Sequence, residues 1–184
     1  PMCAPISDGA AAAVLCSAAG LKRLKGDSSR AIRLLASVVR SSSDRSFDDF
    51  ENHLTALAAK DAYEKSGVAP TDIDVAEVHD ATAMGEIIQA ENLQLAPYGG
   101  AGWAAEAGEF TVGGRIPINP SGGLESKGHP IGATGIGQVY ELVTQLRGEA
   151  GKRQVEDAQI AIQENGGGIY GVEEATAVVN IFSK

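Results

Sequence analysis

Residues 119–135, NPSGGLESKGHPIGATG, put five glycines, two prolines and one of the chain's three histidines into seventeen positions. Glycine marks backbone that turns sharply, takes positive φ or lets another group approach closely. A histidine fixed among such residues is either a buried structural polar group or a working base. His129 stands just upstream of ATGIGQVYELVTQLRGEA, a strong helical pattern whose first N–H groups and dipole favour negative charge. A neutral imidazole there takes a proton from a thiol and then stabilises the thiolate as imidazolium. Gly128 allows the backbone to come close, and Pro130 fixes the lead-in to the helix. GATGIG also invites a dinucleotide-binding reading, which needs a buried strand before it and an acidic residue about 20 positions later. The preceding INPSGGLESKGHP holds two prolines and is no buried strand, and one uninterrupted helix follows.

Working outward, DIDVAEVHD reads as a strand with Ile73, Val75 and Val78 apolar and His79 at its end. ATAMGEIIQAENL reads as a helix. AQIAIQEN and EATAVVNIF are strands joined by GGGIYGV, and AIRLLASVVR is a further strand. Phe47 to Ser66 predicts a helix with Phe47, Phe50, Leu54, Leu57, Ala58 and Ala62 near one face, ending at Gly67. From Asp8 to Cys16 the small apolar residues predict a fully buried strand, with Ser17 capping a short helix that ends near Gly26. Residues 96–118 are punctuated by Gly and Pro and lack a clear period, and a loop of that length is usually functional. Strands alternating with helices predict an α/β fold. EVHDATA, SKGHPIGATG and QENGGG fall where strands end or helices begin, the edges at which ligands gather in such folds.

The totals bound the function. With 184 residues, 43% hydrophobic and 21% charged, the chain is long enough for one domain, or one domain with a piece of another. A net charge of −9 argues against nucleic acid. No run of eighteen apolar residues appears, so no membrane span is expected. Cys3 and Cys16 offer neither a metal-ligand spacing nor a disulfide framework, which points to a reducing, cytoplasmic setting. PMCAPISDGAAAAVLCSAAGLKRL moves straight into a buried-strand pattern, and such a strand needs neighbours on both sides. The expectation is a fragment, or one part of a split protein.

NPSGGLESKGHPIGATG, preceded by EVHDATA and followed by QENGGG, resembles the C-terminal half of the thiolase superfamily, and most nearly its sterol-carrier-protein-linked branch. The resemblance implies a layered αβαβα fold, a mixed sheet covered by helices on both sides, of which this chain holds one half and an edge of the other. It divides the chain into a remnant of the N-terminal domain, residues 1–28, and a C-terminal domain, residues 29–184. It implies acyl transfer on acyl-CoA thioesters, with cleavage or formation of 3-oxoacyl-CoA, coenzyme A as substrate and no cofactor or metal. In that family the histidine of Gly-His-Pro activates a nucleophilic cysteine and helps form an oxyanion hole, and His129 matches it. His79 matches the strand-end residue lining the same hole, with Asp80 orienting it. Gly166 matches the glycine whose backbone N–H serves a second hole; a plain hairpin turn is the other reading of that glycine run. Implied partners are the N-terminal thiolase half, a second copy in a homodimer, and a small acyl-CoA-binding OB-fold protein.

The departures are equally specific. The nucleophilic cysteine belongs to the N-terminal half, and neither Cys3 nor Cys16 stands in its place. The acid/base cysteine is missing as well: Ala81 and Glu164 occupy the two positions where branches of the family carry it. A glutamate shuttles the α-carbon proton if burial raises its pKa toward neutrality; otherwise Glu164 is a strand-end carboxylate. Two rival functions follow, a carbon–carbon lyase cleaving CoA-linked side chains on the same scaffold, and a non-catalytic lipid-carrying or partner-binding module.

Overall fold

The computed structural model describes residues 2–24 and 28–184. Four strands, β1 (Arg33–Ser41), β2 (Val75–Glu77), β3 (Ile160–Gly167) and β4 (Thr176–Ser183), form one sheet in the order β1-β4-β3-β2. β1 and β3 each run antiparallel to β4, whereas β2 is parallel to β3, so the sheet is mixed. The helices are α1 (Ala18–Leu21), α2 (Leu54–Ser66), α3 (Ala83–Asn92), α4 (Ala101–Glu106), α5 (Gly123–Lys127) and α6 (Thr134–Arg147). α2 packs on β1 and β4 from one side, and α6 packs on β2 and β3 from the other.

Strand alternation sorts the core into those two layers. Ala76, Ile162, Val179 and Ile181 join α2 residues Ala58, Ala59 and Ala62 in the larger cluster. Their neighbours Val75, Ala161 and Phe182 point the other way, against Leu142 and Leu146 of α6. Helices on both faces thus bear out the layered α/β expectation.

Three expected elements differ. Residues 8–16 form no strand and lie exposed, Val14 at 92% and Leu15 at 80%. A strand needs hydrogen-bonding neighbours, and among the described residues neither edge strand, β1 nor β2, pairs with residues 8–16. Ser17 does cap α1, accepting from Gly20 N–H at 3.0 Å; Gly26 lies outside the described residues. The helix predicted from Phe47 begins at Leu54, because His53 caps it and the Glu173 carboxylate accepts the Leu54 N–H at 3.1 Å. Phe47 and Phe50 stay exposed in the turns upstream. α2 does end at Gly67, in the left-handed region at φ 72°. Residues 96–118 are no open loop: they contain α4 and bury Phe110, Ile116 and Ile118. Ile118 also bridges to Ala76, extending the β2 edge and delivering the chain to Asn119.

Candidate active site

The glycine-rich stretch is tied down at each end of its turn. Asn119, at φ 51°, accepts the Val78 N–H through Oδ1 at 2.8 Å and donates to Glu86 at 2.9 Å. The buried Glu77 carboxylate accepts from Ser121 N–H at 3.1 Å and Ser121 hydroxyl at 2.8 Å, and Lys127 Nζ lies 3.6 Å from it. Burial pushes Glu77 up to about 7 against the pull of Lys127 and Ser121. Gly123, at φ 60°, has no room for a side chain, since a Cβ would sit 2.0 Å from Asp80 Oδ2. Asp80 receives the Leu124 N–H at 2.7 Å and the Glu125 N–H at 3.4 Å. Its carboxylate therefore anchors the start of α5 instead of orienting His79, because the orphan N–H groups of that helix start attract it.

At Gly128, φ 91°, a Cβ would come 2.5 Å from Ser7 Oγ, so glycine admits the N-terminal segment to the loop as expected. His129 N–H donates to Pro5 carbonyl at 2.8 Å, and Ser7 N–H donates back to His129 carbonyl at 3.3 Å. Residues 2–4 pair likewise with the turn after β2: Ala4 N–H donates to Ala81 carbonyl at 3.0 Å. One segment thereby bridges both histidine-bearing turns. Pro130 carbonyl accepts from Ala133 N–H at 2.7 Å and Thr134 N–H at 3.0 Å, closing the turn that opens α6.

These turns bring His79 and His129 together, Nε2 to Nε2 at 3.4 Å, with ring planes inclined at 60°. His129 Nδ1 lies 2.7 Å from Thr134 Oγ1, and that hydroxyl donates to Pro130 carbonyl at 3.2 Å. With its one hydrogen on Pro130, Oγ1 accepts from Nδ1–H, which leaves the lone pair of His129 on Nε2. Burial, helped by the nearby His129, pulls His79 down to about 4, so His79 is neutral at neutral pH.

Glu164 is fully buried on β3, two residues beyond Ile162 on the same strand face. Its Oε2 accepts the His79 N–H at 3.0 Å, and its Oε1 is buried without a partner. Burial raises its pKa to about 8, over the opposing bond from His79, and the Glu174 and Asp80 carboxylates push the same way. Gly166 lies two residues further along β3, opposite Ala177 in the ladder. The fold thus brings the rings of His79 and His129 together and sets the Glu164 carboxylate on the backbone N–H of His79. Thr134 was not singled out from the sequence, although its place five residues after His129 at a helix start was the signal. Gln138, whose amide donates to Glu164 carbonyl at 3.0 Å across the α6 packing, left no signal at all.

Comparison with known proteins identifies the family of the chain. Over 171 residues the chain is 46% identical to human sterol carrier protein 2, covering 89% of this chain and 31% of that protein. It is 44% identical over 183 residues to the acetyl-CoA acetyltransferase of Methanothermobacter thermautotrophicus, covering 99% of this chain and 46% of that one. It is 38% identical over 156 residues to the benzoylsuccinyl-CoA thiolase subunit BbsB of Thauera aromatica, covering 84% of this chain and 40% of that one. Among solved structures, the Ltp2-ChsH2(DUF35) aldolase superposes with a TM-score of 0.64 at 22% identity, covering 81% of this chain and 39% of that chain. The chain spans less than half the length of each of these proteins. Residues 36–181 match the family described as thiolase C-terminal domain-like, and the chain belongs to that family.

Proposed function

We propose that this chain supplies the C-terminal half of an active site that transfers acyl groups to or from coenzyme A, cleaving or forming 3-oxoacyl-CoA. The observation that carries the reading is the facing pair of Nε2 atoms, with His129 held from behind by Thr134 and His79 held neutral by burial. A cysteine from the N-terminal half gives its proton to His129 Nε2, and the thiolate attacks the thioester carbonyl carbon. His79 Nε2–H donates to the carbonyl oxygen as negative charge develops there. The CoA sulfur departs with the proton that His129 held. In the Claisen direction Glu164 takes the α-carbon proton from the second acyl-CoA; in cleavage it returns a proton to the departing carbon. The acetyltransferase and thiolase relatives support this chemistry.

A second reading has its own support: no cysteine stands at positions 81 or 164, and a fold neighbour is an aldolase. In that retro-aldol reading Glu164 takes the proton of a β-hydroxyl group as the carbon–carbon bond breaks and returns it to the departing α-carbon. The remaining partners belong to the same proposal: the N-terminal thiolase half, a second copy in a homodimer, and a small acyl-CoA-binding subunit, in keeping with the two-component name of that aldolase. Cys3 and Cys16, both free thiols, fit a reducing cytoplasm.

The deciding experiment offers 3-oxoacyl-CoA and 3-hydroxyacyl-CoA to the full protein and to its Glu164→Gln variant. Thiolase chemistry predicts turnover of the 3-oxo substrate only, with the variant still forming an acyl-enzyme thioester from a simple acyl-CoA but losing carbon–carbon cleavage of the 3-oxo substrate by a factor of about 10² or more. Turnover of the hydroxy substrate alone assigns the lyase, turnover of neither leaves the carrier module, and normal cleavage by the variant removes Glu164 from the mechanism.

A further inference from the structure

Gly166 has a neighbour that explains its missing side chain. A Cβ there would lie 2.8 Å from Glu174 Cγ and 3.0 Å from both its Cδ and its Oε1. Side chains alternate along a strand, so the side of β3 that Glu174 covers at Gly166 is the side that Glu164 takes two residues earlier. Glu174 comes from the connection between β3 and β4, and it is kept in place by an ordered set of donors. Asn92 donates to Gln89 Oε1 at 3.0 Å, which turns the Gln89 amide N–H₂ toward Glu174 Oε1 at 3.0 Å. His53 Nδ1 accepts the Thr55 N–H at 3.2 Å, so its hydrogen sits on Nε2, 3.9 Å from Glu174 Oε2. The Gln89 amide thus donates to this carboxyl, and the His53 Nε2–H faces it.

Glu164 is otherwise sealed. The titratable and charged groups around it are His79 and Asp80 from the turn after β2, and Glu174 from the β3–β4 connection. His79 reaches it through a backbone N–H, and Asp80 is engaged with Leu124 and Glu125. Glu174 alone among the three pairs a carboxylate beside Glu164 with a side chain 24% exposed. A buried group that takes a proton in every turnover must lose it again before the next, and a carboxylate is a competent acceptor for it.

We propose that Glu174 is the second carboxyl of the site, a positioning residue standing in the space that Gly166 leaves and passing protons between solvent and the buried carboxyl of Glu164. The step moves one proton from Glu164 to Glu174 and from there to water or buffer, with no other bond made or broken. It rests on the acid/base role proposed above for Glu164.

The test is Glu174→Gln in the full protein, measured beside Glu164→Gln. The expected result is carbon–carbon bond turnover reduced about tenfold or more, acyl-enzyme formation from a simple acyl-CoA retained, and turnover restored by rising imidazole concentration. The pH–rate limb belonging to Glu164 moves to lower pH, because a neutral amide no longer repels its carboxylate. A loss equal at every pH and indifferent to imidazole makes Glu174 structural and overturns the proposal, as does a variant indistinguishable from wild type. If Glu164→Gln abolishes turnover while Glu174→Gln does not, only the relay falls; if Glu164→Gln is active, the role of Glu164 falls first. Should the glutamine variant fail to fold, Glu174→Asp keeps the charge but withdraws it from Glu164. Imidazole must then still raise its rate, and a wild-type response to imidazole counts against the relay.

Discussion

At the scale of single residues, the chemistry depends on which nitrogen of His129 carries the lone pair, and Thr134 decides that. Thr134→Val keeps the shape but removes the acceptor for Nδ1–H, so the ring loses both its tautomer and its orientation. Acyl transfer should fall by about 10–10² with little change in melting temperature, whereas Thr134→Ser should retain most of the rate. Steady-state kinetics beside a thermal melt separate these outcomes. Glu164 yields a second expectation that needs no substrate. The folded carboxyl holds its proton up to about 8, against an ordinary value of 4.5. Its contribution to stability is complete below 4.5 and is lost as the pH rises to about 8. Glutamine has no proton to lose, so Glu164→Gln should gain on the wild type steadily across that window. Glu77 titrates in an overlapping range but is common to both proteins, so the difference between their denaturation curves isolates Glu164. Parallel stability curves would show that the Glu164 carboxyl is not held protonated by the fold.

At the scale of elements, the glycine-rich turn works because its parts hold each other. Asp80 anchors α5, Gly123 makes room for Asp80, and Glu77 clamps Ser121 from beneath. Gly123→Ala drives a methyl group into the Asp80 carboxylate at a positive φ, a cost of about 2–4 kcal/mol. Chemical denaturation measures it, and a loss under 1 kcal/mol would mean that the turn is loosely held. Much of this was legible in the sequence: the helix after the motif, the strands about β3 and β4, and His79 at a strand end. What was illegible depends on long-range partners. The start of α2 at Leu54 is only half local: His53 caps it, but the carboxylate of Glu173, distant in sequence, takes the Leu54 N–H. Nothing local sends Asp80 to Leu124 rather than to His79. The buried face of α6 carries Gln138, Glu141 and Gln145, polar residues that hydropathy assigns to solvent. They are inside because Gln163, Glu164 and Arg153 satisfy them.

At the scale of the molecule, helices cover both faces of the sheet, but the surface on the site's side is not ordinary. Ile6, Val14, Leu15, Ile131 and Tyr140 are all exposed, and residues 7–11 run beside residues 130–133. A surface of that kind marks an interface. The residues that carry it are the stretch before α1 and the loop and helix that follow His129, so whatever covers it also closes the candidate site. The N-terminal half proposed above is the occupant that fits, since the relatives are more than twice as long as the portion matched. Expressed by itself, the 184-residue chain should bind an apolar-surface dye strongly and aggregate on concentration. Co-expressed with an N-terminal thiolase half, it should remain in solution, lose most of the dye signal and protect the amides of Ala4, Ser7 and His129 from hydrogen exchange. Those amides are informative because three of their bonds join the N-terminal segment to the turns bearing His79 and His129. A monodisperse chain alone, with a single cooperative melt and no dye binding, would show that these apolar side chains need no cover, and the proposal of a shared active site would lose its structural basis.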